Sequence, residues 1–73
     1  MLPLCYGNTN QSYTIIRVKG PRRCHAEALG FVPGESVNII QSANGNLIVS
    51  LRDSRYAISK EQAKSIFVKE NQC

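Results

Sequence analysis

The hydrophobic positions change their period along the chain, and each change marks an element. Residues 13 to 18, YTIIRV, are rich in β-branched and aromatic side chains and predict a strand. Gly20-Pro21 closes it. Residues 22 to 29 lose the alternation and carry the helix formers Ala26, Ala28 and Leu29, so a short helix is expected there, with Pro21 in its first turn. Gly30 stands where a helix commonly takes a left-handed residue. Phe31 would then turn back over the core. Pro33-Gly34 fits a type II turn, with Pro presetting φ at the second position and Gly accepting the positive φ at the third.

From residue 36 the period is two. Residues 36 to 41 place Val37 and Ile39 on one face, with Ser36, Asn38 and Ile40 on the other. Asn44-Gly45 is the strongest hairpin signal in the chain, because a type I′ turn needs positive φ at both central positions. Residues 46 to 51 answer as the partner strand, with Leu47, Val49 and Leu51 inward. Asp53-Ser54 is expected to make a second tight turn, and residues 55 to 58 a short fourth strand. Ser59 with Gln62 three residues on is a capping box, which predicts a helix of one or two turns burying Ala63 and Ile66. Residues 66 to 69 predict a fifth strand. Residues 1 to 12 read as a polar lead-in with a turn at Gly7-Asn8, and residues 70 to 73 as a flexible tail.

Five short strands and one or two short helices in 73 residues predict a single, mainly β domain, a small bent sheet closed as a barrel. Closure would remove the exposed edges that so short a chain cannot cover. The expected core is Ile15, Ile16, Val18, Leu29, Phe31, Val37, Ile39, Leu47, Val49, Leu51, Ile58, Ala63, Ile66 and Val68.

Composition narrows the function. Hydrophobic content of 42% and charged content of 19% belong to a globular chain. A core of this size leaves little room for a deep enzyme cleft beside it. No apolar run approaches the ~20 residues that a membrane-spanning helix needs. The first residues, MLPLCYGNTNQ, lack a charged stretch followed by a sustained apolar one, so cytoplasmic residence is the expectation. The net charge of +4 comes from nine Lys and Arg scattered from Arg17 to Lys69, with only Arg22-Arg23 adjacent. Most of that charge reads as ordinary solvated surface.

Candidate chemistry is sparse. Cys5, Cys24 and Cys73 make an odd count with no CxxC pair, so neither a disulfide framework nor a zinc site is expected. The single histidine, His25, follows Cys24 directly, and neighbours on a helix point about 100° apart, which leaves them poorly placed to share one metal. The same divergence and the want of an orienting third group argue against a Cys-His dyad. No phosphate-binding glycine loop is present; Gly34 and Gly45 are turn residues. No enzyme activity, metal or cofactor is therefore expected.

The motifs LGFVPGESVNII, NGNLIVSLRDSRYAIS and EQAKSIFV, in this order, resemble the FeoA family, over about residues 13 to 68. Leu29, Gly30, Phe31, Pro33, Gly34, Val37, Ile39, Gly45, Ile58, Ala63, Ile66 and Val68 fill the family's pattern. The chain departs from it at His25 and Ala26 in the helix, at Asn10 ahead of the first strand, and at Asp53-Ser54. The resemblance implies an SH3-like barrel. It also implies an accessory role in bacterial ferrous iron transport, with the cytoplasmic part of FeoB, a GTPase-coupled membrane transporter, as partner. A related barrel ends the iron-dependent DtxR-type repressors, so a regulatory role is a second implication.

Two surfaces compete. An interaction module would use the helix and the turn after it, with Arg22, Arg23, His25, Phe31 and Pro33 as candidate partner contacts and the two arginines steering toward acidic surface. The alternative is an SH3-like nucleic-acid-binding or transcription-regulatory module, which would pair the basic residues with stacking aromatics drawn from Tyr6, Tyr13, Phe31, Tyr56 and Phe67. A charge balance without a clustered stripe favours the interaction module.

Overall fold

The structure, a computed structural model, describes residues 1–71. Its elements in chain order are β1 (Leu2–Pro3), a 3-10 turn (Leu4–Tyr6), β2 (Gln11–Val18), α1 (Arg23–Leu29), β3 (Ser36–Ala43), β4 (Asn46–Leu51), β5 (Ser54–Ser59), α2 (Lys60–Lys64) and β6 (Ile66–Glu70). All strands join one antiparallel sheet in the order β1-β6-β2-β3-β4-β5.

Two bulges bend the long strands. In β2 the register slips between Ile15, opposite Val68, and Arg17, opposite Phe67. In β3 it slips between Ile39, opposite Val49, and Gln41, opposite Ile48. An extra residue on one strand increases local twist and bends it. It also resets the alternation, so Ile15 and Val18 both point inward although three positions separate them. Ile16 is therefore not in the core as expected; it lies on the outer surface, 38% exposed. Leu29 is half-buried at the core's margin. The other expected core residues are all buried.

The first twelve residues correct the expected lead-in. Leu2 and Pro3 pair with Val68 and Phe67, which makes a sixth strand. Leu4 is wholly buried beneath it. Tyr13, a candidate stacking aromatic, is also fully buried, and its hydroxyl accepts the Asn8 N–H at 2.7 Å. The ring leaves so little room at Gly7 that a Cβ there would lie 3.0 Å from Tyr13 Cε2 and 2.5 Å from Ile39 Cδ1. The expected turn at Gly7-Asn8 sits later, at Thr9-Asn10, where Asn10 takes the left-handed φ of 65°.

Other boundaries shift by a residue. A turn closed by Arg23 N–H on the Gly20 carbonyl at 3.1 Å occupies residues 20 to 23. The helix consequently starts at Arg23, with Arg22 as its N-cap and Pro21 outside it. Leu51 pairs with Ser54, so the second tight turn is Arg52-Asp53. The type II turn at Pro33-Gly34 forms as expected, with Gly34 at φ 94° and the Glu35 N–H donating to the Val32 carbonyl at 3.1 Å. The two-residue hairpin at Asn44-Gly45 forms too, with φ of 51° and 79°. At the other end Glu70 still belongs to β6, and Asn71 is tied to β2. Its Nδ2 donates to Ser12 Oγ at 2.8 Å and its side-chain oxygen accepts the Thr14 hydroxyl. The remainder of the expected tail, Gln72 and Cys73, lies outside the described residues.

Among the described residues the strand pairing does not close on itself: β1 and β5 remain as the two edges of the sheet. The short β1 carries Pro3, and β5 presents the exposed Ser54 and Arg55, both common ways of blunting an edge.

Candidate functional site

Local sequence builds the walls of one groove. α1 ends at Gly30, whose φ of 111° is strained for any residue with a Cβ. Two hydrogen bonds close that end, Gly30 N–H to the Glu27 carbonyl and Phe31 N–H to the Ala26 carbonyl, both at 3.0 Å. This is a Schellman motif, and it delivers Phe31 into the core. The Phe31 ring meets Tyr56 with centroids 5.6 Å apart and planes tilted by 58°. Tyr56 in turn donates its hydroxyl to the Leu29 carbonyl at 3.2 Å, pinning the end of α1 over β5.

The opposite wall is α2. Ser59 Oγ accepts the Gln62 N–H at 3.1 Å, and Gln62 Oε1 accepts the Ser59 N–H at 3.4 Å, so the expected capping box is made. Glu61 in the first turn and Lys64 in the last both complement the helix dipole.

No residue of α1 is fully buried. The helix rests on the barrel through the half-buried Ala26 and Leu29 and leaves an open groove of about 440 Å³ between itself and α2. Val18, Leu29, Phe31, Ile58 and Ile66 form the apolar floor. Arg22 and His25 stand on the α1 side, Glu61 with Gln62 on the α2 side, and Lys19 lies between them, its backbone N–H donating to the carbonyl of Ser65 at the end of α2 at 2.8 Å. A shallower surface with Arg17, Lys19, Arg23 and Cys24 adjoins it across the Gly20-Pro21 turn.

Of the candidate contacts, Arg22 and His25 line the groove and Phe31 lies in its floor, only 1% exposed. Arg23 faces the adjoining shallow surface. Pro33 is exposed on its turn and lines neither. Lys19 and Glu61 are not singled out by the sequence, and Ile58 and Ile66 are expected there only as core residues. The capping box announced where α2 begins, but its position opposite α1 follows from strand order, which no local pattern carries.

Among the described residues the one ion pair is elsewhere. Arg52 donates to Glu35 through Nη2 at 2.7 Å and Nε at 3.2 Å. That hydrogen bonding outweighs the opposing desolvation and, with a smaller pull from the guanidinium charge, holds the Glu35 carboxyl below its ordinary pKa; it also raises that of Arg52. Arg17, Lys19, Arg22 and Arg23 have no carboxylate within salt-bridge distance among the described residues. The aromatics do not assemble a stacking platform. Tyr13 and Phe31 are buried, Tyr56 is half-buried with its hydroxyl engaged, and Phe67 is half-buried with Lys19 Nζ 5.5 Å from its ring centroid. Tyr6 alone is largely exposed, at 69%. No group of three or more His, Cys, Asp or Glu gathers as a metal site among the described residues. Cys5 and Cys24 are free thiols. No helix among them is long and apolar enough to cross a membrane.

Comparison with known proteins accords with this architecture. A crystal structure of an iron uptake regulatory protein, FeoA, superposes with a TM-score of 0.88 at 22% identity, over 96% of this chain and 97% of that one. The zinc complex of Stenotrophomonas maltophilia FeoA, described as a prokaryotic SH3 domain protein, gives a TM-score of 0.87 at 22% identity, over 94% and 91%. A manganese-dependent transcriptional repressor gives 0.86 at 12% identity, over 94% of this chain and 41% of the repressor. At these identities the likeness shows the fold, which is SH3-like. No curated protein sequence matches the chain. The sequence model of the FeoA domain matches residues 2–70, and the chain belongs to the FeoA domain family.

Proposed function

We propose that the protein is a non-catalytic accessory of bacterial ferrous iron transport that acts in the cytoplasm. It docks on the cytoplasmic part of a FeoB-like transporter and modulates it. Membership of the FeoA domain family over residues 2–70 carries this reading. The S. maltophilia relative is described as a candidate ferrous iron transport activating factor, which supports it. The groove between α1 and α2 offers the docking place, because it combines an apolar lining, with Leu29 and Ala26 half-buried at its edge, and basic side chains that have no carboxylate partner among the described residues. Of the expected contacts, Arg22 and His25 are the proposed groove contacts, with Phe31 acting from beneath and Arg23 on the adjoining surface, while Pro33 on its exposed turn lies outside both.

A calorimetric titration of the protein into the cytoplasmic domain of a FeoB-like transporter tests the reading. Saturable binding of modest, micromolar-range affinity is expected. The absence of any heat of binding, confirmed by co-sedimentation, would contradict it. Tight, steeply salt-dependent binding to DNA or RNA instead would favour the nucleic-acid module.

A further inference from the structure

We infer that the α1–α2 groove recognises an acidic protein segment carrying an apolar side chain, with the segment's carboxylates facing α1. The inference deepens the docking reading, resting on it only for the identity of the partner. Phe31, Ile58 and Ile66 are already buried, whereas Leu29 and Ala26 are half-buried, so an apolar side chain entering the groove removes the remaining surface of Leu29 and Ala26 from water. The volume of about 440 Å³ suits a few side chains rather than a whole folded element.

Charge sets the direction. Arg22, with the hydrogen-bonding His25, stands on the α1 side, Lys19 sits at the mouth between the two helices, and Arg17 and Arg23 extend the basic surface past the Gly20-Pro21 turn. Four of the nine Lys and Arg thus fall within residues 17 to 23, along the end of β2 and its connection to α1. The α2 wall carries the single carboxylate Glu61. An acidic segment is attracted by one wall and repelled by the other, which fixes its orientation and speeds encounter. A nucleic-acid strand would share the attraction to the basic wall but would find no exposed aromatic face in the groove, since Phe31 is buried.

Fluorescence anisotropy with the full chain and labelled short peptides tests this. The probes are a Leu-centred Asp/Glu peptide, the same peptide with Leu replaced by Ser, a Lys-flanked version, and a single-stranded oligonucleotide. The acidic Leu peptide is expected to bind, and each of the other three to bind at least tenfold more weakly. Arg22→Glu should weaken the acidic peptide about tenfold, and Glu61→Gln should tighten it about twofold, with binding falling as salt rises. Both positions are exposed, so both variants are expected to fold, and circular dichroism checks this. Equal binding of the Lys-flanked peptide, stronger binding of the oligonucleotide, or no effect of Arg22→Glu in a folded variant would overturn the inference. If the transporter domain binds while the acidic peptide does not, the inference fails and the docking reading stands. If the peptide binds while the transporter domain does not, the docking reading fails and the groove's preference stands.

Discussion

Ile15, Ile16, Arg17 and Val18 sit on one strand, yet only the first and last enter the core. The pair of isoleucines gives no local sign of which one faces inward. The bulge decides, and it depends on how β2 meets β6, far along the chain. Tyr13 was equally ambiguous, since a strand tyrosine can cover a core or enter it. Here the Asn8 N–H satisfies its hydroxyl and lets the ring go in. The one ion pair among the described residues is Arg52–Glu35, and its pH behaviour follows from the sign of the shift. The folded-state pKa of Glu35 lies below the ordinary 4.5, so its contribution to stability is present above that value. It is lost as pH falls through the lowered one. Thermal melts across pH should show Glu35→Gln melting below the wild type at neutral pH, with the gap closing under acid conditions. A gap that stays constant with pH would contradict this account of the pair.

Elements were most legible where turn chemistry is local. The capping box at Ser59 and Gln62, the Asn44-Gly45 hairpin, the Pro33-Gly34 turn and the Gly30 helix end all stand where their residues require. Elements that depend on remote pairing were not legible. Leu2 and Pro3 carry no strand pattern of their own, and their pairing with β6 becomes evident only once both ends of the chain meet. The turn that follows drives Leu4 into the core with no exposed surface left. Leu4→Ala should therefore destabilise the protein by about 2–5 kcal/mol, the cost of a buried leucine and the cavity it leaves. Chemical denaturation measures it. A loss near zero would mean that the N-terminal segment is a dispensable lead-in after all.

At the scale of the whole molecule, the fold brings two short helices to opposite walls of one groove over a bent sheet. Sequence motifs predicted both helices and, through the family pattern, the barrel that carries them. The groove was half legible. Arg22 and His25 on α1 could be picked out as exposed chemistry on a short helix, whereas Glu61, Ile58 and Ile66 join them only through the chain's path around β4 and β5. α1 itself buries no residue fully, so its outward groove face is held in place mainly by its two ends, at the Gly20-Pro21 turn and at Gly30. A helix held in this way can admit a partner side chain with little repacking of the core beneath. The central claim is that the transporter docks there. An NMR footprint of the isotope-labelled protein, titrated with the cytoplasmic domain of a FeoB-like transporter, tests it most directly. The account predicts that amide shifts concentrate on α1 and on the first turn of α2, at Ala26, Leu29 and Gln62, while the Asn44-Gly45 hairpin stays still. Shifts centred on that hairpin, or none at saturating partner, would contradict it.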